Sequence, residues 1–140
     1  MTGQLHQASC VVIGARAILI EGAPGSGKSS LALALIDRGA LLVGDDGVWL
    51  EPVEGRLWAQ PPPHTAGLIE IRNLGLIPMA MAGPAPVALI VALDPQAPRF
   101  IDAPEKAERA GHDLPLIRLW PDSPVLALRA EYALRQYGTG

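Results

Sequence analysis

Apolar residues fall in short blocks along this chain, separated by turn formers, and the spacing within each block tells strand from helix. Ser9 to Ile13 and Ala17 to Glu21 are strand-like runs either side of Gly14-Ala15-Arg16, a hairpin pattern. Ser29 to Arg38 has a helical period instead, with Ala32, Leu35 and Ile36 on one face and Gly39 where a C-terminal capping glycine belongs. Ala40 to Gly44 predicts another strand, ending in Asp45-Asp46-Gly47, and Val48 to Glu51 with Leu57 to Gln60 predicts a second hairpin. Pro61-Pro62-Pro63-His64 is a stiff connection. Leu68 to Arg72 alternates apolar and polar residues, as a half-exposed strand does. Val87 to Leu93 is the most hydrophobic run and predicts a sheet centre; Pro115 to Trp120 predicts a last strand. Val125 to Tyr137 predicts a helix with Leu126, Ala130, Ala133, Leu134 and Tyr137 on one face. Ala103 to Gly111 is polar and reads as a short helix or an exposed loop. The pattern as a whole predicts a mixed α/β domain rich in strand.

Composition narrows this picture. At 140 residues the chain predicts one domain, residues 1–140, large enough to bury a core. A net charge of −3 and a pI near 5.5 argue against nucleic-acid binding, which needs a basic face. The single cysteine, Cys10, stands in an apolar run and reads as a small buried hydrophobe. No basic segment followed by an apolar stretch opens the chain, so no signal peptide is expected. Leu76 to Leu93 carries no charge, but Pro78, Gly83, Pro84 and Pro86 break it, and a cytoplasmic protein with no membrane partner is the expectation.

The candidate chemistry starts at the end of the second strand-like run. Gly22-Ala23-Pro24-Gly25-Ser26-Gly27-Lys28-Ser29 fits G-x-x-x-x-G-K-[ST] at every fixed position, between a strand and a helix. Its glycines let successive N–H groups point inward at phosphate oxygens. Lys28 would reach the β- and γ-phosphates, and the Ser29 hydroxyl would hold magnesium; Ser30 follows on the same turn. Lys28 is one of only two lysines in the chain, the other being Lys106. Asp45-Asp46 follows the next strand, so two carboxylates would stand at the carboxyl end of a parallel strand beside the phosphates. One would hold the metal or its waters and the other would take the proton of an attacking hydroxyl; either aspartate could serve as the base.

The run Gly25-Ser26-Gly27-Lys28-Ser29, followed by Leu35 to Asp46, resembles the catalytic domain of HPr kinase/phosphorylase, a bacterial serine kinase family acting on the phosphocarrier HPr. Glu70-Ile71-Arg72-Asn73-Leu74-Gly75 is similar to the family's Glu-x-Arg-Gly-x-Gly signature, and Pro115 to Gly138 to its last strand and helix. The resemblance implies a single phosphate-loop domain of the phosphoenolpyruvate carboxykinase-like variant, frequently hexameric, using ATP and magnesium. It implies Lys28 and Ser29 on ATP and metal, Asp45 and Asp46 as base and proton donor, Glu70 on magnesium, and His6 near the reacting phosphate. The chain departs from the family at Ser30, at Asn73, and at Pro121-Asp122-Ser123-Pro124, where the family has Pro-Gly-Arg-Asn. That missing arginine serves the phosphorolytic reaction in the family, so the second activity is not expected. The chain resembles short alphaproteobacterial forms made of the catalytic core. A nucleotide-binding regulator that transfers nothing and a small-molecule kinase are the alternative functions.

Overall fold

The computed structural model describes residues 3–140. It contains eleven strands and two helices: β1 Gln4–His6, β2 Ser9–Ile13, β3 Arg16–Glu21, α1 Lys28–Asp37, β4 Leu41–Gly44, β5 Val48–Val53, β6 Arg56–Gln60, β7 Leu68–Ile71, β8 Gly75–Pro78, β9 Ala85–Leu93, β10 Glu105–Arg109, β11 His112–Leu119 and α2 Leu126–Tyr137. Nine strands form one sheet in which β9 is central, as its unbroken run of apolar residues predicts. Along one edge β9 pairs with β3; along its length it also meets β6 through Pro86 and Ala85, and β11 from Ile90 to Leu93. Sharing one strand among three partners curls the sheet, so that residues of β5 and β6 join those of β2, β3 and β9 in one apolar cluster.

Two apolar clusters fill the two sides. On the outer side Ile18, Ile20, Leu89 and Val91 pack against Leu31 and Leu35 of α1 and Ala130 and Leu134 of α2. Inside the curl Cys10, Leu19, Val48, Leu50, Ile90 and Leu116 pack together. The alternation along β3, with Ile18 and Ile20 outward and Ala17 and Leu19 inward, is the period-2 geometry of a strand buried on both faces. Cys10 is fully buried as expected, and burial pushes its thiol pKa up. Helix α1 ends as its glycine predicts: Gly39 has φ +110°, and Gly39 N–H and Ala40 N–H donate to Ile36 O and Leu35 O. No helix of the described residues is long and apolar enough to cross a membrane.

Two stretches differ from the expectations. Ala103 to Gly111 is neither helix nor loop, because residues 105–109 form β10, antiparallel to β11. Its Ala107 packs inside the curl opposite Leu114, and Ala110 (φ +49°) and Gly111 (φ +82°) close the hairpin. A polar strand gains its apolar partner only across that pairing, which a local pattern does not display. Leu68–Ile71 also has an unpredicted partner in β8. Asn73, with φ +74°, makes the turn between them, and asparagine accepts the left-handed backbone better than any other residue with a side chain apart from aspartate.

Candidate functional site

Strands β3, β9 and β11 run parallel, and β4 shares their direction although β2 lies antiparallel between β3 and β4. The carboxyl ends of all four strands therefore share one edge, where ligand crevices form in open α/β sheets. The expectation that β3 and β4 are parallel holds for direction; the interposed β2 brings in a residue the sequence reading passed over. Ser9, at the start of β2, is completely buried and lies at this same edge.

The glycine-rich loop leaves β3 at Gly22 and enters α1 at Lys28. Gly25 (φ +78°) and Gly27 (φ +105°) adopt left-handed backbone, and open space lies where a Cβ would stand. No side chain caps α1 and no acidic residue stands in its first turn, so the first amide donors are left for an anion. Ser26 Oγ is buried with no hydrogen-bond partner among the described residues. Lys28 Nζ folds back across the loop, donating to Gly22 O at 3.0 Å and Ala23 O at 3.2 Å.

Asp45 ties the loop to the acidic turn. Its Oδ1 accepts from Ser29 Oγ at 2.6 Å and from Ser9 Oγ at 3.0 Å, and its Oδ2 accepts from Glu70 N–H at 2.9 Å. Asp46 is exposed, has φ +60°, and makes no side-chain hydrogen bond among the described residues. The two adjacent carboxylates thus differ: one is fixed by three donors, the other is free. A cleft of about 210 Å³ joins Ser9, Pro24, Gly25, Gly27, Lys28, Ser29, Ser30, Asp45 and Asp46 with Glu70 and Arg72. These hydroxyl and carboxylate oxygens are the hard donors that suit magnesium, and the uncapped loop amides suit phosphate. No group of three or more His, Cys, Asp and Glu among the described residues could hold a metal by itself.

His6 is not among the residues lining the cleft. It sits at the end of β1, with Nε2 2.7 Å from Glu21 Oε2. Arg109 of β10 reaches the same carboxylate, Nε to Oε2 at 2.9 Å and Nη2 to Oε1 at 2.6 Å. Burial alone would raise the Glu21 pKa; the hydrogen bonds and charges of Arg109 and His6 outweigh it and lower the value from 4.5 to about 2. A depressed carboxyl pKa stabilises the fold above the unfolded value and stops doing so as pH falls through the folded one. The unfolding midpoint should therefore drop between pH 4.5 and about 2 more steeply in the native chain than in Glu21→Gln, as thermal melts across that range would record. Neither Glu21 nor Arg109 was picked out by the sequence, since they lie 88 positions apart.

Comparison with known proteins converges on one family. The family described as HPr Serine kinase C-terminal domain matches residues 2–85. HPr kinase/phosphorylase of Clostridium tetani (strain Massachusetts / E88) is 50% identical over 60 residues, 43% of this chain and 20% of the relative. The same-named protein of Clostridium beijerinckii is 48% identical over the same extent. The chain thus aligns with about a fifth of the length of these curated relatives. The solved structure of the Hpr(Ser) kinase/phosphatase from Coxiella burnetii superposes with a TM-score of 0.83 at 31% identity, covering 94% of this chain and 88% of that one.

Proposed function

This chain belongs to the HPr serine kinase C-terminal domain family, and from that premise we propose that it is an ATP- and magnesium-dependent kinase that phosphorylates a serine of HPr or an HPr-like carrier. The observation that carries the reading is the 2.6 Å hydrogen bond from Ser29 to Asp45, which joins the phosphate-loop hydroxyl to the acidic turn and leaves Asp46 free beside it. We read the loop as the phosphate loop of a single domain, of the variant seen in phosphoenolpyruvate carboxykinase.

In this reading the amides of residues 25–30 and the Lys28 ammonium hold the triphosphate, with Lys28 leaving the carbonyls of Gly22 and Ala23 to do so. Ser29, Asp45 and Glu70 would hold magnesium, which would supply positive charge to offset the triphosphate. Asp46 accepts the proton of the attacking serine hydroxyl, because its carboxylate is unengaged while both oxygens of Asp45 are committed. Most of the acceleration then comes from positioning and fixed charge. Forward transfer is assigned without phosphorolysis, since 121–124 carries no arginine and Arg109 is committed to Glu21. The setting is a cytoplasmic one, and a homo-oligomer such as the family's hexamer is part of the proposal.

The kinase is separated from a nucleotide sensor by the fate of ATP. Bound Mg-ATP should be stable in the chain alone and turn into ADP when the carrier is added. ATP that persists unchanged in the presence of the carrier would favour the sensor.

A further inference from the structure

Glu21 is the last residue of β3, immediately ahead of Gly22, and its side chain emerges on the inner face with Ala17 and Leu19. Two separate pieces of chain converge on it: β1 through His6 and β10 through Arg109. The guanidinium meets the carboxylate at two points, a fork-on-fork geometry that fixes its rotation as well as its charge. An ionised carboxylate only accepts hydrogen bonds, so the imidazole nitrogen facing it must carry a proton. That nitrogen is Nε2, and the neutral ring then presents an unprotonated Nδ1. Among the described residues Nδ1 of His6 makes no hydrogen bond. In the β1–β5 register His6 lies opposite Val48, two residues beyond Asp46. The free nitrogen therefore belongs to the strand pair that adjoins the acidic turn.

We propose that Glu21, clamped by Arg109, is a positioning residue that holds His6 as the Nε2–H tautomer and leaves Nδ1 a free acceptor on β1, which pairs with the strand that follows the Asp45-Asp46 turn. Its consequence for catalysis rests on the kinase reading. The logic is that of a carboxylate, here partly buried, setting tautomer and ring orientation for a histidine that acts through its other nitrogen. The placement also ties the root of the phosphate loop to β1 and to the β10–β11 hairpin through one carboxylate.

The test begins with a readout that needs no substrate. In the full chain labelled with ¹⁵N-histidine, the His6 signals, identified by their loss in His6→Ala, should show protonated Nε2 and unprotonated Nδ1 in the neutral ring. In Glu21→Gln, whose amide can accept or donate, the two signals should move together toward a tautomer average. Transfer should then lose about 10–100-fold in kcat in Glu21→Gln with KM for ATP unchanged. In the His6→Ala background the same Gln substitution should cost nothing further. Arg109→Lys, which keeps the charge but gives up the two-point clamp, should loosen the tautomer less and lower kcat less; it serves as the test if Glu21→Gln does not fold. A neutral His6 protonated at Nδ1, or a Gln substitution equally costly with and without His6, would overturn the proposal. A locked tautomer in a chain that transfers no phosphate would support the lock while sinking the kinase reading instead.

Discussion

Asp46→Asn should lower phosphoryl transfer about 10²–10⁴-fold, the range typical of losing a general base, while the chain stays folded and still binds Mg-ATP. The side chain is exposed and makes no hydrogen bond among the described residues, so the fold loses little with its charge. Asparagine keeps the shape and tolerates the left-handed backbone at φ +60°, which isolates the loss of basicity. Asp45→Asn is the informative contrast. Its amide would place a donor either against Ser29 Oγ and Ser9 Oγ or against the Glu70 N–H, all of which now donate to Asp45. Disturbing these hydrogen bonds, of which the two from the serines are part-buried, should cost about 1–3 kcal/mol of stability as well as activity. Urea denaturation beside single-turnover transfer separates the two: Asp46→Asn should move only the rate, and Asp45→Asn both. An Asp46 variant that transfers at the native rate would return the base role to Asp45.

Lys28→Ala carries the other large effect. Removing a positioned cation from a phosphoryl-transfer site should cost about 10²–10³-fold in kcat and weaken ATP binding besides. Lys28 Nζ bridges the backbone oxygens of Gly22 and Ala23, both exposed, so folding stability should barely change. Calorimetric titration with Mg-ATP and a thermal melt of the same protein check both halves. Native ATP affinity in Lys28→Ala would mean that the loop amides alone hold the triphosphate.

How far the sequence led is clear from particular residues. The loop from Gly22 to Ser29 was legible as a tight turn between strand and helix, because glycine spacing writes a local backbone conformation into a short string. Asp45 and Asp46 were legible as a pair for the same reason, but the difference in their hydrogen bonding was not. It depends on Ser9 and on the Glu70 amide, which reach Asp45 from 36 and 25 positions away. A serine opening the run Ser9-Cys10-Val11 was the one local sign, a polar residue where a buried strand begins. The curl of the sheet, the strand nature of Glu105–Arg109 and the meeting of His6, Glu21 and Arg109 all arise from pairing between distant segments. Asn73 shows the converse: where the signature has glycine, this chain has a residue that tolerates the positive φ found there.

The central claim is tested most directly by incubating the chain with Mg-ATP labelled in the γ-phosphate, together with HPr or the same carrier with its acceptor serine replaced by alanine. The account predicts label on the native carrier and none on the alanine form. Label on neither carrier, from a chain shown to bind Mg-ATP, would contradict it.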